Sequence, residues 1–424
     1  MMAKINTKLF PLLNVLFLLA NLGLQFVNFK FFFLNPLSNA DEGGYLRQVS
    51  QGNVSWSYIS GSFSQPYTFL GCILDFFIKD AALSNRIVSL IFGMALVLFL
   101  FFYFRKHKST IFTENPKFWN DFALFNIFFA VVTIIRGHFQ GTPDMTSTFF
   151  TVIGFIMLIE IIFNHARDKK VWLIGLFFAL AFTARPTFLV MMVAFLLTLL
   201  LFYRKALIGK PLLLTGVFFA AFTAAINLYP ITEKGNIVLD VKEIPESVGT
   251  NWFEMNYLMA KKWDAGEIPR TQWLSSAEVM NFKKMNPDHV FPKNHFDLLI
   301  REPGLYSRQM LRMGSISIYS SFRYLYLFFP FLLLLPFVRK KYSDQDYRRK
   351  AGFIICFYFS ALFIYMFFAV KLMEFRWMHA MLAVYIFYAL DFLKYVPQKQ
   401  RLLLFNGTFV LGILFCIVAA FRGV

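Results

Sequence analysis

Residues 171–203 read VWLIGLFFALAFTARPTFLVMMVAFLLTLLLFY, an apolar run interrupted by the single charge of Arg185. A helix that crosses a bilayer needs about 20 consecutive apolar residues. We divide the run at Arg185-Pro186, because proline ends or kinks a helix and a charge at mid-bilayer is costly. Similar runs recur along the chain, which has 424 residues, 58% of them hydrophobic and 16% charged. A soluble domain does not hide that much apolar surface, so the sequence predicts an integral membrane protein.

Apolar runs of this kind predict an all-α polytopic protein with about eleven transmembrane helices. The candidate spans are residues 8–28, 83–104, 118–136, 143–163, 171–184, 187–203, 211–230, 323–338, 351–370, 377–393 and 402–420. Three modules follow from this division: an N-terminal transmembrane module of about seven spans (1–230), a large outer loop (231–322) and a C-terminal module of about four spans (323–424). We expect interfacial helices in the first outer loop (29–82) and ordered short helices in the large loop.

Lys and Arg form clusters in the short loops between the predicted spans. The formal net charge is +18, but in the eleven-span arrangement the Lys and Arg clusters all fall on one side. The positive-inside rule makes that side cytoplasmic, together with the N-terminus. This distribution argues against a nucleic-acid partner and for the lipid bilayer. The high Phe and Lys content is typical of bacteria, so we expect the inner membrane, with the chemistry on the periplasmic face.

Two acidic positions on the predicted outer side are candidates for catalysis. Asp41 and Glu42 follow the first span, where a carboxylate can take a proton from an acceptor hydroxyl. They are equally consistent with a helix start in which Asn39 is the N-cap and Glu42 completes a capping box. Asp144 follows Pro143 at the start of the fourth span, and this pattern is also typical of a helix N-terminus.

Four cations on the same side are candidates for binding phosphate. Arg86 and Arg185 lie within or beside apolar runs, where charges are expensive and usually functional. Lys371 and Arg376 fall in the last outer loop with Glu374. Arginine binds phosphate with two parallel hydrogen bonds. The alternatives are side chains that extend to the membrane interface and, for Arg376, a local pair with Glu374. The histidines show no metal-ligand spacing.

Six short motifs, in this order, resemble those of the GT-C superfamily of membrane glycosyltransferases. The closest resemblance is to the branch of protein O-mannosyltransferases and aminoarabinose transferases. The motifs are Asp41-Glu42 followed by Tyr45, then Gln65-Pro66, Asn85-Arg86-Ile87-Val88, Pro143-Asp144, Ala184-Arg185-Pro186 and Glu374-Phe375-Arg376-Trp377. The sequence departs from the family pattern at Tyr67, where the family has a second proline, and at Trp377, where it has tyrosine. These departures leave the sugar and the acceptor open.

The resemblance implies a GT-C-like fold and a reaction. A polyprenyl-phosphate-linked sugar would be the donor, and a lipid, glycan or protein would be the acceptor. Asp41 would be the general base, with Glu42 and Asp144 also catalytic. Arg185, Arg376, Lys371 and Arg86 would bind the donor phosphate, and Tyr45, Glu374 and Trp377 would contact the substrate. Some family members bind a divalent metal ion (Mg²⁺ or Mn²⁺) and others do not; Asp41 and Asp144 would be its ligands.

Three alternatives fit the same membrane architecture. An outer-face polysaccharide polymerase or ligase would use arginines of the large loop, here Arg301, Arg308 and Arg312. A transporter would have polar residues at mid-bilayer on several helices and an internal repeat. A non-catalytic relative would keep the fold alone. The early acidic pair favours the glycosyltransferase over the polymerase.

Overall fold

A computed structural model describes residues 2–35, 42–52, 54–108, 117–135, 137–164, 170–239, 246–269, 272–337, 346–368 and 374–421. Within these ranges all regular secondary structure is helical. The α-helices are α1 (Met2–Asn28), α2 (Glu42–Ser50), α3 (Trp56–Gly61), α4 (Gln65–Ile78), α5 (Ala81–His107), α6 (Lys117–Thr133), α7 (Asp144–Asn164), α8 (Val171–Ala184), α9 (Phe188–Phe202), α10 (Arg204–Leu207), α11 (Lys210–Ile226), α12 (Leu228–Lys234), α13 (Trp252–Asp264), α14 (Ser276–Met285), α15 (His295–Arg301), α16 (Pro303–Leu325), α17 (Phe328–Leu334), α18 (Asp346–Phe368), α19 (His379–Asp391) and α20 (Gln398–Phe421).

Six helical segments in the described ranges are long and apolar enough to cross a membrane. They are Leu9–Phe33, Ala81–His107, Asp144–Asn164, Arg204–Ile226, Asp346–Phe368 and Gln398–Phe421. A seventh is possible if α16 and the segment Phe328–Phe337, which meet at a bend of 108°, form one broken span. The molecule is therefore a polytopic membrane protein by helix length and composition, with six or seven such spans instead of the predicted eleven.

The difference in count comes from helix length. The predicted spans 118–136, 171–184, 187–203 and 377–393 correspond to helices of 17, 14, 15 and 13 residues. At 1.5 Å per residue, these helices are about 20–26 Å long, which is less than the roughly 30 Å of a hydrocarbon core. Apolar composition alone does not distinguish them from full spans, because it shows neither the length of a helix nor the residue at which it ends.

The helix break predicted at Arg185-Pro186 is confirmed. α8 ends at Ala184, Arg185 has an extended backbone (φ −152°, ψ 120°), and α9 begins at Phe188. Proline cannot supply the backbone N–H that a continuous helix requires. The break turns the Arg185 side chain away from a helix face, and this is what places it in the site described below.

The centre of the bundle is built around α7 and α19. Every side chain of α19 is buried, and α19 packs against α6, α7, α17 and α18. Aromatic rings fill much of this core: Phe155 of α7 has ring centroids of Phe178, Phe195 and Phe357 within 4.9–5.2 Å. Such offset and edge contacts add to the stabilisation by burial alone. The core therefore holds α7 and α19 in fixed positions, and both helices carry site residues at their ends.

The predicted large loop is helical. α13 and α14 each begin with a capping box, Asn251 with Glu254 and Ser275 with Glu278, and they share a small core that includes Met259 and Val279. The predicted boundary between loop and C-terminal module at residues 322 and 323 falls inside α16, which runs from Pro303 to Leu325. The first outer loop (29–82) contains a π-helical turn, Phe29–Phe33, and the helices α2, α3 and α4.

Candidate functional site

Asp144, the first residue of α7, lies between two arginines that are distant in sequence. Arg185 approaches it through two nitrogens, Nε to Oδ1 at 3.2 Å and Nη2 to Oδ2 at 3.2 Å. Arg376 places Nη1 3.2 Å from Oδ2. The Thr142 hydroxyl donates to Oδ2 at 2.8 Å. We call Asp144, Arg185, Arg376 and Glu374 the Asp144 cluster, because Glu374 accepts a hydrogen bond from Nε of Arg376.

Each member of the Asp144 cluster stands where a helix begins or ends. Asp144 is in the first turn of α7, Arg185 follows the last residue of α8, and Arg376 lies in the 3₁₀ turn Phe375–Met378 that leads into α19. A carboxylate is stabilised at a helix N-terminus by the helix dipole. Side chains at chain breaks meet in the space between helix ends. The predicted placement of Asp144 at a helix start agrees with the structure.

The Asp144 carboxylate is almost fully buried, at 8% exposure, and its neighbours occupy its oxygens. Buried ion pairs are favourable only when further hydrogen bonds support them, and the Thr142 hydroxyl supplies one such bond to Oδ2. A carboxylate held by two guanidinium groups is poorly placed to remove a proton from a substrate. Asp144 therefore orients Arg185 and Arg376, and it does not act as a free base in this arrangement.

A small polar cavity adjoins the Asp144 cluster. It is lined on one side by Ser147, Thr148 and Thr151 of α7 and on another by Tyr365 and Trp377. Its water-accessible volume is about 20 Å³, which is the space of about one water molecule. The Tyr365 hydroxyl donates to the Thr187 carbonyl at 2.9 Å, across the break between α8 and α9. A larger ligand requires the side chains that close the cavity to move.

The sequence argument missed the hydroxyl residues of this cavity. Residues 147, 148 and 151 fall on one face of α7, so hydroxyl groups at this spacing within an apolar span were a usable signal. Tyr365 carried no such signal. It is one of 18 tyrosines in the chain, and it joins the site only through the packing of α18 against α9.

Glu42 and Arg86 form a second buried ion pair next to the Asp144 cluster. Nη2 of Arg86 lies 2.9 Å from Oε2 of Glu42, and Nε donates to Oε1 at 3.3 Å. Oε1 also accepts the backbone N–H of Gly141, and Arg86 donates to the Phe33 carbonyl. The Glu42–Arg86 pair therefore holds the start of α2 against α5 and against the segment that precedes α7. Both residues fit a positioning role better than direct contact with a substrate.

Tyr45 connects the two ion-paired groups. Its ring packs edge-on against Tyr67 with centroids 5.9 Å apart, and the Arg185 guanidinium carbon lies 5.7 Å from the ring centroid of Tyr45. The Tyr67 hydroxyl donates to the Asn85 carbonyl at 3.1 Å. Tyr45, one helical turn after Glu42, therefore contacts Arg185, which also pairs with Asp144. The predicted site residues Glu42, Tyr45, Arg86, Asp144, Arg185, Glu374, Arg376 and Trp377 all belong to this end of the bundle.

Two predicted site residues, Asp41 and Lys371, lie outside the described residues. Asp41 immediately precedes Glu42, whose side chain is fixed as described. The residues that surround Asp144 do not fit a divalent metal ion, because two guanidinium groups occupy the carboxylate and would repel a cation. Among the described residues, no group of three His, Cys, Asp or Glu side chains is arranged to hold a metal.

The arginines of the large loop are occupied by local ion pairs. Arg301 pairs with Asp297, and both Arg308 and Arg312 pair with Asp264. The hydrogen bond from Arg308 to Asp264 lowers the pKa of that carboxyl, and the charge of Arg312 acts in the same direction. The Arg312 guanidinium carbon also lies 5.1 Å from the Trp263 ring centroid. The contacts of Arg308 and Arg312 hold α13 against α16.

A second buried charge cluster, which the sequence argument did not find, lies at the opposite end of α7 and α19. Lys108, just after α5, has Nζ 2.7 Å from Oε1 of Glu160 and 3.2 Å from Oδ2 of Asp391. We call these three residues the Lys108 cluster. Tyr388 donates to Glu160 at 3.0 Å, and its ring and that of Phe387 lie near the ammonium group. Lys108 ends the basic stretch Arg105-Lys106-His107-Lys108, and its buried partners carry no local sequence signal.

No family model matches the chain, and neither the curated proteins nor the solved structures gave a significant match. The fold and the arrangement of these side chains are therefore the basis for assigning a function.

Proposed function

We propose that this protein is a membrane glycosyltransferase of the GT-C type, which moves a sugar from a polyprenyl-phosphate donor to a lipid, glycan or protein acceptor. The observation that carries the proposal is the meeting of Arg185 and Arg376 at Asp144 beside a polar cavity. These residues are far apart in sequence, and they belong to separate motifs of the family that the sequence resembles. Their convergence is what a shared site would require.

The two arginines suit the leaving group of this reaction. The bond between the anomeric carbon and the lipid phosphate breaks, and the phosphate departs with the electron pair. Positive groups already aimed at that phosphate stabilise the charge as it develops. Asp144 holds both guanidinium groups in place before the donor arrives. A buried phosphate would exchange with the carboxylate as their partner and keep the pairing that such charges need.

The acceptor oxygen forms the new bond to the anomeric carbon from the opposite face, through an oxocarbenium-like state, with inversion. Its proton must pass to a base. Among the described acids of the site, Glu42, Asp144 and Glu374 are each paired with arginine. Asp41 is the remaining candidate, and we assign it the role of general base. Glu42 anchors the start of α2, directly after that residue.

We also propose that this chain has the membrane topology expected from its resemblance to the GT-C superfamily. Eleven membrane crossings require the short helices of the bundle to cross in addition to the six or seven long ones. We place the N-terminus in the cytoplasm and the site on the periplasmic face of a bacterial inner membrane, because the basic clusters lie on the other side of that arrangement. The hydrocarbon of the donor would lie in the bilayer beside the bundle.

The test is transfer of radiolabelled sugar from polyprenyl-phosphate donors in purified membranes. We expect label transfer by the wild type and none by Asp41→Asn, because the amide cannot accept the proton. Asp297→Asn is the matched control: it makes the same chemical change at an exposed pair in the large loop and should transfer as the wild type does. Wild-type rates in Asp41→Asn would refute the role of that residue, and no transfer from any donor by the wild type would refute the proposed function.

A further inference from the structure

An arginine without an acidic partner faces the outer surface of the bundle near the end of α16. Arg323 lines a cavity of about 450 Å³ together with Ser315, Ile318, Tyr319, Phe322 and Phe415. Among the described residues, no carboxylate lies within ion-pair distance of its guanidinium group. The other walls are mostly apolar and exposed: Ile318 is 50% and Tyr319 61% accessible. A cation in such apolar surroundings is costly and calls for an anion.

A second apolar cavity of about 440 Å³ also lies against α20. It is lined by Leu403, Gly407 and Leu411, which lie four residues apart along the helix, and Phe415 is the next residue at that spacing. Its other walls include Leu327, four residues after Arg323. From Leu403 to Phe415, α20 rises about 18 Å. One leaflet of a hydrocarbon core is about 15 Å thick, so the two cavities together, the α16–α20 furrow, match the length of one acyl chain.

We propose that the α16–α20 furrow binds an anionic phospholipid of the bilayer, with its phosphate at Arg323 and an acyl chain along α20. Charge decides the class of lipid, because a zwitterionic headgroup places a competing cation beside the arginine. Arginine also matches phosphate geometrically, with two parallel donors. Tyr319 lies on the same rim, and its amphipathic ring suits the boundary between headgroup and hydrocarbon.

The furrow borders the candidate site. Tyr324, next to Arg323, packs its ring 5.1 Å from that of Phe375. Phe375 belongs to the 3₁₀ turn that carries Arg376 to Asp144. A lipid in the furrow is therefore separated by one ring contact from the turn that forms the Asp144 cluster. This binding site is independent of the proposed transferase activity, and its test requires no sugar donor.

The test is native mass spectrometry of the full chain in detergent, titrated with dipalmitoyl phosphatidylglycerol or dipalmitoyl phosphatidylcholine. We expect the wild type to bind the anionic lipid roughly tenfold more tightly, from one charge-assisted contact. Arg323→Gln should lose this preference, whereas Arg323→Lys should keep part of it. Arg301→Gln is the control, since it removes the same charge from an exposed pair elsewhere.

Ile318→Trp provides a second variant at an exposed position, where the larger ring fills the furrow without burial in the core. It should weaken binding of both lipids, and dihexanoyl phosphatidylglycerol should bind the wild type more weakly than the dipalmitoyl lipid. Equal binding of the two headgroups by the wild type would overturn the proposal. So would unchanged preference in Arg323→Gln, or displacement of the phospholipid by an equal concentration of polyprenyl phosphate.

Discussion

The two ends of α7 carry buried charge clusters of similar composition and different construction. Asp144 begins the helix and Glu160 lies in its last turns, about 24 Å apart by helix rise. The Asp144 cluster is built from side chains at breaks between helices and borders a cavity lined with hydroxyl groups. The Lys108 cluster joins the ends of α5, α7 and α19, and aromatic rings cover it.

The difference shows how the same kinds of charge serve separate purposes. In the Lys108 cluster the lysine lies between two carboxylates, and the rings of Phe387 and Tyr388 pack against it, so its pairing is suited to holding three helices together. In the Asp144 cluster the arginines come from chain breaks beside a cavity, so a ligand can replace the carboxylate as their partner. We therefore expect changes at the Lys108 cluster to act on stability, and changes at the Asp144 cluster to act on the reaction.

The largest expected effect is at Lys108. Lys108→Met leaves the buried carboxylate of Glu160 without its cation and leaves Asp391 with only the partly exposed Lys394, 3.1 Å away. Breaking a buried ion pair in this way costs about 3–5 kcal/mol. We expect a clear fall in the Tm of the detergent-solubilised protein. The triple variant Lys108→Met, Glu160→Gln, Asp391→Asn should recover much of the loss, because no buried charge is then unpaired among the three. If Lys108→Met alone kept the Tm of the wild type, the Lys108 cluster would not have the structural role described.

The next effect is at Arg185 and concerns activity. Removing one group that stabilises developing charge lowers rates by about 10²–10³-fold. We expect Arg185→Gln to reduce kcat/KM for the lipid-linked donor by that order, with weaker binding of the donor phosphate. Arg105→Gln is the control: its pair with Asp121 lies at the other end of the bundle and is partly exposed. An unchanged kcat/KM and KM for the donor in Arg185→Gln would remove this arginine from the site.

The smallest expected effect is that of removing one tyrosine hydroxyl, and it can be compared between the two charge clusters. Tyr388 donates to Glu160, and Tyr365 donates to the Thr187 carbonyl beside the cavity. Loss of one such hydrogen bond costs about 0.5–3 kcal/mol, and the upper part of that range applies to a charged acceptor. Tyr388→Phe should therefore lower the Tm and leave the donor KM unchanged, whereas Tyr365→Phe should change the kinetics more than the Tm. If Tyr388→Phe changed the kinetics and Tyr365→Phe lowered the Tm, the distinction between a structural and a functional cluster would be wrong.

Parts of this architecture could be predicted from local sequence because their causes are local. The break at Arg185-Pro186 follows from proline stereochemistry, and the placement of Asp144 at a helix start follows from the proline before it. The long apolar helices number six or seven, fewer than the eleven predicted spans, because apolar content is not a measure of helix length. α19 is apolar because other helices surround it, whereas α9 also exposes apolar side chains such as Val193 and Leu197. Apolar composition does not separate these two cases, and it does not show helix length.

The pairings within the site were only partly accessible from sequence. The late arginine, Arg376, was predicted to pair locally with Glu374 or to bind phosphate, and it contacts both Glu374 and Asp144. Glu42 was considered as a catalytic acid, and its bidentate pair with Arg86 points instead to positioning. Glu160 and Asp391 carry no signal in the sequence, since the partner of a lone acid in an apolar run is fixed only when the helices pack.

The sequence by itself determined that this is a helical membrane protein, where its charge is concentrated, and which side chains stand at helix ends, because hydrophobicity and backbone chemistry act over a few residues. Only the tertiary structure decided which of those side chains meet. Arg185 and Arg376 lie 191 positions apart, and they reach one carboxylate because the core of α7, α8 and α19 brings three helix ends together. Burial then makes their pairing obligatory, since charges removed from water require partners within hydrogen-bonding distance.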